Sequence, residues 1–228
     1  MNVPSFRTKL ISLADDEYRE FSMRGIPCDR PFLGVRIPDI KKLVREIPEK
    51  DFTEFLNAEP IALEEVLARG FLIARLPYEK MLEVFDSQIN LLDNWCAVDT
   101  FCSALRKTVK THEPDFLDQK VEPLLKSKNE FFVRAGLVLL LDFYIKPDYL
   151  FLIFDRAEAL KSRDEYYIKM ALAWLLAECF IKFPAETLAY LKVSSLDNWT
   201  FNKTISKISD SRRVDPETKL ALKRLRKK

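Results

Sequence analysis

Apolar positions in the second half of the chain recur with the period of a helix that buries one face. Leu137, Leu140, Leu141 and Tyr144 form one stripe; Ile168, Leu172, Leu175, Leu176 and Cys179 form another. Upstream the pattern is looser, but it predicts helices over Pro4–Met23, Pro38–Ile47 and Pro60–Leu76, the first two joined by a proline-rich connection over 25–34. Prolines add a longer rhythm. Pro77, Pro114, Pro147, Pro184 and Pro216 lie 37, 33, 37 and 32 residues apart, and each opens a helix-like run. Proline is tolerated at the first helical position, where its missing N–H has no intrahelical partner, and the acids that follow it favour the positive end of the helix dipole.

A second motif runs between the prolines. Asp93-Asn94-Trp95-Cys96-Ala97-Val98-Asp99 returns in weaker form as Asn129-Glu130-Phe131-Phe132-Val133-Arg134, as Asp164-Glu165-Tyr166-Tyr167-Ile168-Lys169, and as Asp197-Asn198-Trp199-Thr200-Phe201-Asn202-Lys203. Each copy has a polar start, one or two aromatics, an apolar residue and then a charge. The charges Asp99, Arg134, Lys169 and Lys203 fall at intervals of 35, 35 and 34 residues, a period that marks a helical-repeat array. Each repeat reads as a proline-started helix, a short turn, and a second helix beginning near the aromatic-plus-charge motif. The expected architecture is a single all-α domain over 1–228, an α-solenoid or superhelix whose second helices line the concave face. On that face Arg134, Lys169 and Lys203 would form a cationic track suited to phosphates.

Composition is consistent with helices: 48% of residues are hydrophobic and only 4 are glycine, too few for a turn-rich β protein. Cys28, Cys96, Cys102 and Cys179 show no CxxC spacing and read as reduced thiols of a cytosolic protein. No apolar run reaches the ~18 residues of a membrane span, so no membrane partner is expected. Net charge is +2, but residues 1–114 sum to −3 and residues 115–228 to +5, and Arg212–Lys228 holds eight bases against two acids. Such an asymmetry points to a polyanion partner of the C-terminal half, or to a solvated helix face with a basic tail.

Candidate chemistry narrows by subtraction. A single histidine, His112, leaves no His-based triad or histidine metal cluster, and there is no GxxxxGKS/T, GxGxxG or GxSxG loop. Neither a cofactor nor a metal is expected. Among four equivalent charges, three are cations and one is the carboxylate Asp99, with Trp95 four residues before it on the same helix face and Trp174 in a neighbouring repeat. A carboxylate beside a cationic track repels phosphate. It makes sense if the bound species develops positive charge, as a sugar does when its N-glycosidic bond breaks. When the leaving base is an alkylated, cationic purine, no general acid is needed, and aromatic faces can hold the cation. A purely structural reading stands beside this one: Asp99 paired with Arg134 across repeats, the tryptophans in the core, Tyr166 and Tyr167 packed between repeats, and Arg134 and Lys169 at solvated helix ends.

At these residues the chain resembles the DNA alkylation-repair family, the AlkD-type DNA glycosylases built from HEAT-like (armadillo-type) repeats. The matching pieces are Phe32-Leu33-Gly34-Val35-Arg36-Ile37-Pro38, Asn94-Trp95-Cys96-Ala97-Val98-Asp99, Phe132-Val133-Arg134-Ala135 and Tyr167-Ile168-Lys169-Met170-Ala171-Leu172-Ala173-Trp174, in order and at fitting spacings. The resemblance implies that Asp99 is the catalytic aspartate, that Trp95 and Trp174 pack around the lesion deoxyribose, and that Arg134 contacts the DNA backbone. It also implies excision of N3- and N7-alkylated purines from duplex DNA without a metal. Two departures set the chain with a shorter branch, to which the fold carries over but excision does not carry over automatically. The segment before Phe32 is short and broken by Gly25, Pro27 and Pro31, and Cys96 stands where active relatives often have an acid. The first expectation is therefore a monomeric, monofunctional alkylpurine DNA glycosylase with Lys169 and Lys203 as further backbone contacts. The alternative is a non-catalytic repeat module that binds nucleic acid or a protein partner through the same face.

Overall fold

The computed structural model describes residues 1–227, and among them all regular structure is helical. The chain divides into two compact units, Met1–His112 and Glu113–Lys228. No helix among the described residues is long and apolar enough to cross a membrane.

The first unit contains α1 (Val3–Ser12), α2 (Asp16–Met23), α3 (Ile37–Arg45), α4 (Phe52–Asn57), α5 (Leu63–Ile73), α6 (Tyr78–Ile89), α7 (Trp95–Ala104) and α8 (Arg106–Val109). Its spine is α5, which packs against α3, α4, α6 and α7. Leu63, Val66, Leu67, Phe71, Leu72 and Ile73 are all buried, each such side chain contributing roughly 1.5–3 kcal/mol by leaving water. Gly70 lets α7 come close, since a Cβ there would stand 3.1 Å from the Phe101 ring.

The single helix predicted over Pro4–Met23 is two. The carboxylate of Asp15 accepts from the Tyr18 N–H and caps α2, while its own backbone N–H donates to the Gly34 carbonyl. A side chain that bonds the backbone ahead of it ends one helix and starts the next. The Phe32–Val35 segment is held from beneath by Glu64, which is 0% exposed and accepts the N–H groups of Leu33, Gly34 and Val35 at 2.8–3.1 Å. Three backbone donors replace the water that a buried carboxylate would otherwise lack. Gly34 sits at φ +85°, and a Cβ on it would stand 2.3 Å from the Asp15 carbonyl. These contacts fix where α2 lies.

The second unit begins with α9 (Glu113–Phe116), which runs through a π turn (Leu117–Val121) into α10 (Glu122–Leu125). Pro123 explains the turn: proline inside a helix removes a donor and crowds the carbonyl four residues back, and a wider turn relieves this. There follow α11 (Glu130–Phe143), α12 (Leu150–Ala159), α13 (Tyr166–Lys182), α14 (Pro184–Val193), α15 (Asn198–Asp210) and α16 (Pro216–Lys223). Here α13 is the spine, packed against α11, α14 and α15.

The periodic prolines fall where the sequence places them. Pro77 precedes α6, Pro114 lies in the first turn of α9, Pro147 opens a 3₁₀ turn before α12, and Pro184 and Pro216 open α14 and α16. The aromatic motifs open α7, α11, α13 and α15. Their polar starts are caps in three of the four: Asn94, Asn129 and Asp197 each accept backbone N–H groups of the helix that follows.

Candidate functional site

In the first unit the site is built on α7. Asn94 is fully buried, and its side-chain oxygen accepts the Ala97 N–H at 2.9 Å, which fixes the start of the helix. One turn separates Trp95 from Asp99, and both are half-buried. The Trp95 Nε1–H donates to the Gly25 carbonyl at 2.7 Å and ties the indole to the loop after α2.

Between α2 and α7 lies a cavity of about 560 Å³, whose lining includes Tyr18, Phe21, Ile37, Trp95, Cys96 and Asp99. A second cavity of about 320 Å³ shares Ile37, Asp99 and Thr100 and adds Lys41 and Ser103. Asp99 thus stands at the junction of a mainly apolar pocket and a more polar one. Burial pushes the Cys96 thiol up to about 11, and the nearby Asp99 carboxylate acts in the same direction. At neutral pH the thiol is therefore uncharged and forms part of the apolar wall.

Tyr18 and Phe21 line the cavity that Asp99 shares, and sequence reasoning leaves them unplaced. They lie three apart on α2, so both face the cavity. That i, i+3 pair of aromatics is the signal that could have found them. Phe21 is 73% exposed, while Tyr18 is held on its other side by Arg36, whose guanidinium lies 4.4 Å from the ring centroid. Arg36 also pairs with Asp15 at 3.0 Å. The hydrogen bond from the Tyr18 N–H, and then that from Arg36, hold the Asp15 carboxyl below its ordinary range. Lys41, whose ammonium lies 5.0 Å from the Phe71 ring centroid, is the cation in the lining of the smaller cavity that Asp99 shares.

The other predicted site residues lie in the second unit. Arg134 is buried at 4% exposure, and its guanidinium donates to the Tyr167 carbonyl at 3.2 Å. Lys169 bridges two carboxylates, Asp164 at 2.9 Å and Asp197 at 3.1 Å. The hydrogen bond to Asp164 holds the Lys169 ammonium above its ordinary range. Lys203 lies 5.9 Å from the Trp199 ring centroid, and no carboxylate of the described residues pairs with it. Trp174 is half-buried on α13, four residues beyond Met170 and eight beyond Tyr166 on the same face. Within its unit the structure brings Trp95 together with Asp99, and within the other it brings Lys169 together with Lys203 around Trp199. It does not present Arg134, Lys169 and Lys203 as three equivalent free cations.

A half-buried carboxylate at a lip of aromatic side chains, on an all-helical scaffold with repeated aromatic helix starts, defines a helical protein with a site shaped for a flat apolar group and a charge. The chain belongs to the DNA alkylation repair enzyme family, whose model matches residues 6–208. A comparison with curated proteins gives no match.

Proposed function

We propose that this member of the family is a monofunctional DNA glycosylase that hydrolyses the N-glycosidic bond of cationic N3- or N7-alkylated purines in duplex DNA. The observation that carries this reading is the position of Asp99, one turn from Trp95 at the junction of an apolar and a polar cavity. The bond between C1′ of the sugar and the purine nitrogen breaks with its electron pair going to the base. That neutralises the alkylated base, so no group has to protonate it. The sugar then carries the positive charge, which the Asp99 carboxylate stabilises. A water oxygen bonds to C1′ from the open side, and its proton passes to Asp99 or to solvent. Trp95, Tyr18 and Phe21 offer ring faces to a cationic base or to the sugar. Trp174 is assigned to the sugar by the family resemblance alone.

HEAT-like repeats are the architecture that the spacing of 34–35 residues between motif charges supports. Of the three proposed backbone contacts, Lys203 has no paired acid among the described residues, while Lys169 is held by two. Lys169 reaches a phosphate by exchanging one of its two carboxylates, and Arg134 by leaving the Tyr167 carbonyl. This occupation of the cations weakens the phosphate track, and it leaves room for a second reading, a non-catalytic module whose repeat face binds nucleic acid or a protein.

Single-turnover release of 7-methylguanine and 3-methyladenine from methylated duplex DNA separates the two. Release by the unaltered protein and none by Asp99→Asn supports the glycosylase. Equal release by both removes Asp99 from the chemistry. No release by either, with duplex still bound, favours the binding module.

A further inference from the structure

The start of every second helix in the second unit carries aromatic residues, and their rings touch in series. Phe131 of α11 lies 5.2 Å from Tyr167 of α13 between centroids, Tyr167 lies 5.1 Å from Tyr166, and Tyr166 lies 5.8 Å from Trp199 of α15. The last two contacts are edge-on, at 82° and 62°, so each uses one face of one ring only, and the ammonium groups of Lys169 and Lys203 stand over the Trp199 ring at 5.3 and 5.9 Å. The outer two rings stay in solvent: Tyr166 is 55% exposed and Trp199 40%. Packing between helices explains the inner rings, but it does not explain two large aromatics left side by side in water.

The charges around this ladder are sorted. Glu165 pairs with Arg163 at 2.6 Å, Glu130 accepts the Tyr167 N–H at 2.7 Å, and Asp164 and Asp197 hold Lys169. Asp197 is further occupied as the cap of α15. The acids at the helix starts are therefore matched, while Lys203 beside Trp199 is not. Basic residues from beyond α16 are brought to the same helix. The Asn202 side chain exchanges hydrogen bonds with the backbone of Lys227, donating at 2.8 Å and accepting at 2.9 Å, and Arg226 donates to Ser206 at 2.8 Å. Arg226 and Lys227 thus lie along α15, and the Lys227 ammonium donates to the Leu196 carbonyl just before that helix.

Exposed ring faces with interleaved, unmatched cations are what an unpaired nucleic-acid strand requires: every base has a face to stack, and the backbone needs positive charge beside it. A duplex keeps its base faces hidden. We propose that Tyr166 and Trp199, with Lys203 beside them, form a stacking site for single-stranded nucleic acid, separate from the Asp99 cavity.

The test is fluorescence anisotropy at low salt with labelled, unmodified 15-mers of deoxythymidine and of uridine, using the full chain. Binding of either strand is expected, and the two arms tell DNA from RNA. The double variant Tyr166→Ala/Trp199→Ala should weaken it by about tenfold or more. Tyr166→Phe/Trp199→Phe, which keeps the rings, should bind as the unaltered chain does. Circular dichroism of each variant checks that the helices are intact. Asp99→Asn should leave this binding unchanged whether or not the protein excises bases, so failure here is distinct from failure of the glycosylase reading. Absence of single-strand binding, or equal binding by the unaltered chain and the alanine double variant, would overturn the proposal.

Discussion

α7 in the first unit and α13 in the second begin with the same kind of sequence: a polar residue, aromatics, an apolar residue and a charge one turn in. They put that charge to different uses. On α7 the charge is Asp99, which lines two cavities, one of them shared with the α2 aromatics Tyr18 and Phe21. On α13 it is Lys169, held between Asp164 and Asp197 and set 5.3 Å from the Trp199 ring centroid. The equivalent charge on α11, Arg134, is buried against the Tyr167 carbonyl. Place in a repeat determines where along a helix a charge emerges. What that charge then does is decided by the side chains that neighbouring elements bring to it.

That contrast can be broken at its strongest point first. Asp99→Asn should lower the single-turnover rate of alkylpurine release by about 100-fold or more, and unfolding in urea should show no comparable loss of stability. If the two effects were reversed, Asp99 would be a structural charge like Arg134.

The lip over Asp99 depends on Gly34. Gly34→Ala sets a Cβ against the Asp15 carbonyl in a left-handed backbone conformation, so it should cost about 1–3 kcal/mol in a urea titration. An unchanged midpoint would mean that the connection before α3 can move without loss. In the second unit, Arg134→Ala should lower stability by about 1–3 kcal/mol, because a buried side chain and its hydrogen bond to the Tyr167 carbonyl are lost. Lys203→Ala should leave stability unchanged and reduce the salt dependence of nucleic-acid binding by roughly one log–log unit. Similar behaviour of the two variants in both assays would mean that burial does not separate these cations.

The smallest expected effect is on pH. The Asp15 carboxyl lies below its ordinary value near 3.8 in the folded chain. The stability it contributes is therefore present above that value and is lost as pH falls through the lower, folded value. Asp15→Asn should flatten the acid limb of the first unit's stability curve, read from the pH dependence of the urea midpoint between about pH 5 and 2.

The sequence by itself determined the helices that carry the motifs. Proline positions marked helix starts because a missing N–H is harmless only there, and the polar motif starts Asn94, Asn129 and Asp197 turned out in the structure to cap those helices through their first free N–H groups. It also set Trp95 and Asp99 on one face, since four residues are about one turn. The break at Asp15 rests partly on a local cap, to the Tyr18 N–H three residues on, which the helical pattern passed over, and partly on Gly34 and Arg36, which lie about twenty residues away and were not legible. For the same reason Tyr18 and Phe21 could not be assigned to the Asp99 cavity: a flexible count of residues does not say where a proline-rich connection returns. Only the tertiary structure decided that Glu64 anchors that connection, that Arg134 is buried, and that Lys169 is matched by two acids. Periodicity is a local property of one helix, whereas the partners of a charge come from whichever helices pack beside it.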